Sequence, residues 1–224
     1  IWLLDPRPDL PTIVRMVEKG FELSEASHAP VMMELRIRAC HVTGEFAAKN
    51  NRRAAFSGRN RIPGPPRFEY ARLAHPPALF VHERLKVEDR LPAAIAFIRE
   101  HSLNEFIPGD LNDIGIVVCG GLTSGVLRAL ERLDLAEIDG TSRVPIHVLN
   151  CVYPLVPEEV RAFCAGKRAV LVVEEGSPDY IEQQINVELR RADIQTRIHG
   201  KGALPKTGDY TSDVMLNGLA AFIS

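Results

Sequence analysis

A glycine-rich turn at residues 119–125 has the residue types best suited to ligand binding. It joins an apolar run at 114–119 to a helical pattern that begins at Ser124. Glycines let a ligand approach the backbone closely, and free N–H groups at a helix start can hold an anion. The spacing matches neither G-x-G-x-x-G nor the P-loop, so a tight structural turn and a phosphate site both stay open. The candidate cofactor-binding residues are Gly120, Gly121, Thr123 and Ser124.

Two acidic residues, Glu174 and Glu175, follow the apolar run at 169–173. Burying a carboxylate costs free energy unless it is hydrogen-bonded or faces solvent. Adjacent residues on an extended chain point to opposite faces, so this pair is not a shared acid/base site. The pattern favours hydrogen bonding between domains and leaves direct catalysis as the alternative. A third turn carries Tyr153 before Pro154, which predicts an aromatic contact with a neighbouring domain.

The remaining reactive residue types form no recognisable catalytic or metal-binding set. None of the four cysteines is part of a Cys-x-x-Cys pair, there is no His-x-x-x-His, and Gly-x-Ser-x-Gly is missing. Two cysteines lie in apolar runs, which predicts buried, reduced thiols and a cytoplasmic location. His41 either lines a cleft or is solvated. We therefore predict no catalytic residue and no metal ligand in this chain.

Residues 113–224 alternate between strand and helix patterns. Strands are predicted at 114–119, 144–149, 169–173 and 194–198. Helices are predicted at 124–133, from Pro157 to a stop at Gly166, after a Ser177-Pro178 N-terminus, and after a cap at Thr211 or Ser212. The helix that follows Ser177-Pro178 should bury Ile181, Ile185 and Leu189. This pattern predicts an α/β fold, a Rossmann-like three-layer domain with a mostly parallel sheet.

Residues 1–43 and 44–112 lack the regular alternation of strand and helix patterns seen in that domain. The first range predicts a helix capped by Asp9 and a strand at 31–39, too little to fold unaided, so we interpret it as the remnant of another domain. The sequence begins at Ile1 and resembles a piece of a longer chain. The second range is a Pro/Arg-rich linker followed by a helix that should start near Asp89, because Pro92 is tolerated only in a first turn. We expect residues 1–43 to pack on the third region or to be loosely ordered.

Composition excludes several partner classes. The formal charge is −2 and the pI about 6.4, so no overall positive field attracts nucleic acid or an anionic membrane. No apolar run approaches the roughly 20 residues of a spanning helix. Few aromatic residues are interleaved with the linker arginines. This favours a linker between domains that is solvated or contacts anions, and it disfavours RNA binding. We predict neither a nucleic-acid nor a membrane partner.

Five motifs in one order resemble the alpha subunit of the indolepyruvate ferredoxin oxidoreductases. The stretch Leu103-Asn104 with 115–121 is similar to that family's entry into its second domain, and 152–157 to its YPLP turn. Two departures are Pro92, within a helix that is usually uninterrupted, and Asp209, where Glu is commoner. The other similar segments are 172–175 with 181–184, 200–210, and the looser match at 38–41.

The resemblance implies a function that the residues alone do not show. Family members use thiamine diphosphate, with Mg and iron–sulfur clusters, to decarboxylate aryl pyruvates oxidatively, with ferredoxin as acceptor and coenzyme A as co-substrate. It implies that 1–43 ends a pyrimidine-type thiamine-binding domain and that 113–224 is a transketolase C-terminal-like domain. The partners would be other domains of the same enzyme and a second subunit. The segment would be supporting and inactive alone, with no cofactor bound by itself.

Two other readings stay open from the sequence. One is a non-catalytic α/β module that uses residues 120–125 to bind a nucleotide or coenzyme phosphate. The other is a domain whose role is oligomerisation.

Overall fold

A computed structural model of the chain describes residues 1–37, 39–50 and 69–224. Most of the Pro/Arg-rich linker and Arg38 of the 38–41 motif lie outside the described residues. The strands are β1 Trp2–Leu4, β2 Val31–Met33, β3 Glu105–Ile107, β4 Ile114–Cys119, β5 Ile146–Leu149, β6 Cys151–Tyr153, β7 Ala169–Val173 and β8 Arg197–His199. The helices are α1 Leu10–Ser27, α2 Ala78–Leu85, α3 Leu91–Glu100, α4 Thr123–Glu131, α5 Pro157–Cys164, α6 Tyr180–Arg191 and α7 Ser212–Ile223.

The larger sheet has five strands in the order β3-β5-β4-β7-β8. Strands β5, β4, β7 and β8 run parallel, and β3 pairs antiparallel with β5. Every residue of β4, β5 and β7 is buried, so both faces of the sheet are covered. Helix α4 packs on α7 and α5 on α6. The predicted α/β class with a mostly parallel sheet is confirmed, and the antiparallel strand β3 is an addition.

A smaller sheet joins the first residues of the chain to the third region. Its order is β2-β1-β6, with β1 parallel to β2 and antiparallel to β6. Helix α1 connects β1 to β2 and packs against α3. The core between these elements is made of Trp2, Leu4, Met16, Leu23, Ala94, Phe97, Ile98, Leu103, Cys151 and Val156. Residues 1–37 therefore pack on the third region through β1 and β6, two strands that the sequence patterns did not predict.

The strand predicted at 31–39 is shorter in the structure. It ends at Met33, because its partner β1 ends at Leu4. Beyond that point the chain turns so that Arg36 reaches the larger sheet, and Ala39 lies in a short 3-10 turn. The alternation of apolar and charged residues there is typical of a strand, but no strand in the described part of the chain extends far enough to pair with it.

The helix predicted to start near Asp89 starts earlier. Helices α2 and α3 are continuous through a π-helical turn at Lys86–Arg90. In this turn the Leu91 N–H donates to the carbonyl of Lys86, five residues back. The wider turn accommodates Pro92, which lacks an N–H and would clash within a regular α-helix.

Two further helix boundaries test the capping predictions. Thr211 caps α7 by accepting the Val214 N–H, and Pro157 is the first residue of α5, both as predicted. Helix α6, however, begins at Tyr180 and not after a Ser177 cap. Its predicted buried stripe of Ile181, Ile185 and Leu189 is confirmed. The predicted strand at 194–198 is also shifted, to Arg197–His199.

Trp2 provides a test of the smaller core. Its side chain is fully buried, and its Nε1–H donates to Ser27 Oγ at 2.7 Å. Trp2→Ala should lower the free energy of unfolding by about 3–5 kcal/mol, the usual loss for a buried Trp. Urea unfolding measures this loss. Trp2→Phe, which keeps most of the apolar area, should lose less, and Ile138→Ala at an exposed position should change little. Equal stability of Trp2→Ala and Ile138→Ala would contradict the packing described here.

Candidate functional site

The turn between β4 and α4 packs against the first residues of the chain. A Cβ atom added at Gly120 would lie 1.9 Å from the backbone oxygen of Asp5, so only glycine fits there. The Gly121 N–H donates to Asp5 Oδ1 at 3.1 Å. Thr123 is buried and its hydroxyl donates to the carbonyl of Gly120 at 2.7 Å. Ser124 is exposed in the first turn of α4.

The anion held by this turn is thus a carboxylate of the chain itself. The backbone N–H predicted for phosphate binding at Gly121 is used by Asp5, and Thr123 shapes the turn. Of the four candidate residues, Ser124 is the one that is exposed. A phosphate role for these residues stays a prediction.

Arg36 connects the two sheets through three carboxylates. Its Nη2 and Nε donate to Asp5 Oδ2 at 3.0 and 3.3 Å, and its Nη1 donates to Glu175 Oε2 at 2.8 Å. Glu34 Oε1 lies 3.8 Å from Arg36 Nη2. Arg36 is a planar donor fork and can serve several carboxylate oxygens at once. We call Asp5, Arg36, Gly121 and Glu175 the Arg36 cluster.

Burial and ion pairing act in opposite directions on the pKa values of Asp5 and Arg36. Asp5 is 1% exposed, and burial raises its pKa above the usual value, although the charge of Arg36 and its hydrogen bond act in the opposite direction. Burial also opposes the Arg36 cation, but the charge of Asp5 and their hydrogen bond outweigh it, and its pKa is raised. The cation keeps its charge, and we take its pairing with Asp5 as the interaction that holds the cluster together. The carboxylate would be costly to bury without it.

The two acidic residues after β7 have different roles. Glu175 binds Arg36 and also accepts the Tyr210 N–H at 2.5 Å. Glu174 turns the other way and accepts the N–H groups of Ile181, at 3.1 Å, and Glu182, at 3.3 Å. Burial raises the pKa of Glu174. Glu175 thus joins residues after β7 to Arg36, and hydrogen bonding between domains stays a prediction for it. Glu174 instead caps α6, which explains why Ser177 does not.

Lys201 holds the loop that presents Glu175. Its Nζ donates to the carbonyls of Glu174 and Gly176 and to Tyr210 Oη, the last at 3.1 Å. The Tyr210 hydroxyl in turn donates to the carbonyl of Pro205 at 2.8 Å. Burial raises the pKa of Tyr210 to about 12. Lys201 lies in the 200–210 motif, but its role was not predictable because two of its three acceptors are backbone carbonyls.

Asn150 is a second residue that sequence reasoning missed. It is fully buried after β5, and its Oδ1 accepts the Arg7 N–H at 2.8 Å. Its Nδ2 donates to the carbonyl of Leu103 and to Glu105 Oε1, at 2.9 and 2.8 Å. A polar residue directly after a buried strand was the signal available. Asn150 fixes the first residues of the chain above the Gly120 turn.

Two clefts border the Arg36 cluster at the carboxyl edge of the larger sheet. The smaller one, of about 360 Å³, includes Arg36, Gly121, Glu175 and Asp209 in its lining. The larger one, of about 570 Å³, lies over the first turns of α4 and α7, with Ser124 and Arg128 at its wall. Both open at the edge where ligands bind in open α/β sheets.

The other residues considered from sequence lie away from these clefts. The ring of Tyr153 is 5.9 Å from that of Trp2, and His41 is exposed. Cys119, Cys151 and Cys164 are buried, and burial raises the pKa of Cys151 and Cys164 to about 12. Within residues 1–37, 39–50 and 69–224, no group of three His, Cys, Asp or Glu side chains could hold a metal ion. Nor does any helix in the described part have the length and apolarity to cross a membrane.

Solved structures share this fold. The chain aligns over its full length with 42% of a 2-oxoglutarate:ferredoxin oxidoreductase from Magnetococcus marinus, with a TM-score of 0.58 and 18% identity. It aligns over 98% of its length with 56% of a split-gene transketolase, with a TM-score of 0.50 and 16% identity. The transketolase C-terminal-like fold predicted from the sequence is confirmed at this level.

Sequence relatives point to one kind of protein. The chain is 29% identical over 221 residues to indolepyruvate oxidoreductase subunit IorA of Methanothermobacter thermautotrophicus, covering 97% of this chain and 33% of that protein. It is 26% identical over 212 residues to IorA of Pyrococcus abyssi, covering 93% and 31%. The chain thus spans about a third of the length of the curated relatives it matches. No family model matches it. The resemblance to the indolepyruvate oxidoreductases is confirmed.

Removing Arg36 should expose the cost of burying Asp5. Arg36→Leu should lower the free energy of unfolding by about 3–5 kcal/mol near pH 8, because Asp5 is left as a buried, unpaired carboxylate. A carboxyl whose folded pKa is raised loses stability as pH rises from its unfolded pKa through the folded one. Without Arg36, burial should raise the Asp5 pKa further, so the loss should be smaller near pH 4 than near pH 8.

Denaturant unfolding of the variant across pH measures this dependence. Arg143→Leu removes an exposed pair with Asp110 and is the matched control, with little change expected at any pH. A loss for Arg36→Leu that is the same at pH 4 and pH 8 would show that Asp5 is not the group left unpaired.

Two glycines five residues apart test the packing of the turn. Gly120→Ala should destabilise the protein by about 3 kcal/mol, because the added methyl group overlaps the Asp5 backbone. Gly125→Ala, whose Cβ would lie 3.5 Å from Met215 Cε, should be neutral or stabilise α4 by up to about 1 kcal/mol. Thermal unfolding compares them, and a harmless Gly120→Ala would refute the close approach.

Proposed function

We propose that the chain is a segment of a thiamine-diphosphate-dependent 2-oxoacid:ferredoxin oxidoreductase of the indolepyruvate type. The observation that carries the proposal is similarity to four IorA proteins, at 24–29% identity, over 93–97% of this chain. Because similarity extends over nearly the whole chain, it covers the smaller sheet and the larger one together. The fold shared with a 2-oxoglutarate:ferredoxin oxidoreductase supports the same class.

The geometry favours a structural role for the segment within the enzyme, and not a catalytic one. The turn best placed to bind a phosphate has its Gly121 N–H bound to Asp5, and Glu174 and Glu175 are used to cap α6 and to bind Arg36. These groups hold the elements together at the carboxyl edge. In this proposal the edge is a rigid platform against which the cofactor-bearing domains of the longer polypeptide pack.

The cofactors would be held outside this segment. The described residues have no metal-ligand group, and the three buried cysteines do not form a cluster-binding set. An iron–sulfur cluster needs four cysteine thiolates, which the described residues do not bring together. Thiamine diphosphate, Mg and iron–sulfur clusters would be bound by other parts of the enzyme, and a second subunit, ferredoxin and coenzyme A would be its partners. The cytoplasmic location stays a prediction.

The domain assignment is part of the proposal. Residues 1–43 would be the end of a pyrimidine-type domain, 44–112 a linker with its helix, and 113–224 the transketolase C-terminal-like domain. The parallel β1-α1-β2 unit supports the first assignment, since parallel strands with a crossover helix are the repeating unit of such sheets. The Arg36 cluster would then be a contact between two domains.

The test uses the full-length polypeptide with its second subunit. The complex should reduce ferredoxin or a viologen dye with indolepyruvate, with coenzyme A and thiamine diphosphate both required. Reduction with 2-oxoglutarate but not with aryl pyruvates would correct the substrate class. No reduction with any 2-oxoacid, or activity of the 224-residue segment alone, would overturn the proposal.

Arg36→Leu in the full-length complex should lower kcat/KM by at least about tenfold. The reason is that displacing a packed domain by about 1 Å misaligns groups held across the interface. Arg143→Leu should leave the rate unchanged. If both variants keep the full rate, the Arg36 cluster does not position the active site.

A further inference from the structure

Helix α2 and the π turn that follows it leave apolar side chains uncovered. Phe80 in α2 is 62% exposed, and Val87 in the π turn is 61% exposed. No residue of α2 or of the π turn is buried, although Leu79 and Val81 are also apolar. Contiguous apolar surface of this kind marks a site of interaction. We therefore expect residues 78–90 to be covered in the assembled protein.

One side of α2 already has a partner within the chain. The helix contacts the short 3-10 turn Tyr70–Arg72, and Ala78, His82 and Leu85 are its half-buried residues. Their spacing at i, i+4 and i+7 places them on one side of the helix. A helix that packs on a single layer needs one such stripe. Apolar residues on another side indicate a second contact.

The exposed side carries apolar and charged residues in a fixed order. Phe80 and Val87 are seven residues apart, which is close to two helical turns, so both lie opposite the half-buried stripe. The π turn begins at Lys86 and changes this spacing little. Glu83 and Arg84 lie between them on the same side, and both are exposed. We call Phe80, Glu83, Arg84 and Val87 the α2 ridge.

The α2 ridge is complementary to a copy of itself. A two-fold axis that brings one residue opposite a second also brings the second opposite the first. With two antiparallel helices and the axis between positions 83 and 84, Phe80 lies opposite the copy's Val87. In the same register Glu83 lies opposite the copy's Arg84. The axis repeats both pairs, so the ridge forms two apolar contacts and two contacts between opposite charges.

Neighbouring registers lose this complementarity. A shift by one residue in one direction places Glu83 opposite the copy's Glu83 and Phe80 opposite its Lys86. A shift in the other direction places Arg84 opposite the copy's Arg84 and Phe80 opposite its Glu88. Parallel pairing also sets each charge against itself. Flanking charges of this kind select the partner and the orientation of paired helices.

The charge of residues 78–90 also permits pairing between copies. Three acidic and three basic residues balance there, with histidine neutral: Glu83, Glu88, Asp89, Arg84, Lys86 and Arg90. Arg84 Nε lies 3.7 Å from Glu88 Oε2 in an exposed contact, and the guanidinium has further donors for a second carboxylate. A single helix pair is smaller than the roughly 1,200–2,000 Å² of a stable interface, so by itself it should associate weakly.

We propose that the α2 ridge pairs antiparallel with the α2 ridge of a second copy of this chain, around a two-fold axis between Glu83 and Arg84. Burial of Phe80 against the copy's Val87 would stabilise the contact, and the charges would set its register. The self-complementary order of the ridge is the reason to choose a second copy, since a partner of another sequence does not require it. The inference rests on these residues and not on the proposed function.

Disulfide formation between copies tests the pairing in the full-length complex. Polypeptides with Phe80→Cys and with Val87→Cys are coexpressed with different tags, and the exposed Cys40 is replaced by Ser in both. Mild oxidation should join the two tagged polypeptides, as seen on a non-reducing gel. Each variant expressed alone is the matched control. Its two cysteines would lie about 10 Å apart along the helices, too far for a disulfide.

Charge reversal in the same crosslinking pair tests the register. Arg84→Glu should lower the yield of crosslinked product at least about tenfold, because Glu83 then faces a carboxylate of the copy. Combining it with Glu83→Arg exchanges the two charges and should restore the yield. All these positions are exposed, so the fold should be unaffected, which circular dichroism checks.

Two results would overturn the inference. One is no product from the coexpressed pair, as expected if the second subunit or another domain covers α2. The other is a yield that Arg84→Glu does not change, which would indicate random collision. Neither measurement depends on turnover. An active complex without the crosslink would leave the proposed function intact, and a crosslinked complex that oxidises no 2-oxoacid would do the reverse.

Discussion

The structure depends on one guanidinium that serves carboxylates from two separate sheets. Arg36 follows β2 in the smaller sheet and binds Asp5, which follows β1, and Glu175, which follows β7 of the larger sheet. Asp5 in turn binds the Gly121 N–H at the start of α4. A buried carboxylate is costly unless it is paired and hydrogen-bonded. The pairing therefore fixes both sheets in one arrangement.

The same constraint explains why the Gly120 turn resembles an anion-binding site although its Gly121 N–H is already bonded to Asp5. A turn after a parallel strand, followed by a helix start, attracts an anion by its geometry. Here Asp5 supplies the anion, and Gly120 is required because the Asp5 backbone lies against it. The carboxyl edge that could bind a ligand has become a contact between regions, with Lys201 and Asn150 holding the loops on either side.

Sequence patterns predicted the larger sheet well because its information is local. The strands Ile114–Cys119 and Ala169–Val173 are unbroken apolar runs, and Pro157 and Thr211 mark helix starts through their own chemistry. The smaller sheet was missed because β1 and β6 have three residues each and meet only in the folded chain. The Arg36 cluster was not predictable for the same reason, since Asp5, Arg36 and Glu175 are far apart in sequence. No periodicity marks such a contact.

A double-mutant cycle on Arg36 and Glu175 tests most directly whether one residue couples the two sheets. The free energies of unfolding of Arg36→Leu, Glu175→Gln and the double variant, each compared with the unchanged chain, give their interaction energy. We predict a favourable coupling of about 1–3 kcal/mol, as found for residues in one buried network. Additive losses, with a coupling near zero, would show that the two sheets are held together by other contacts and would contradict the account.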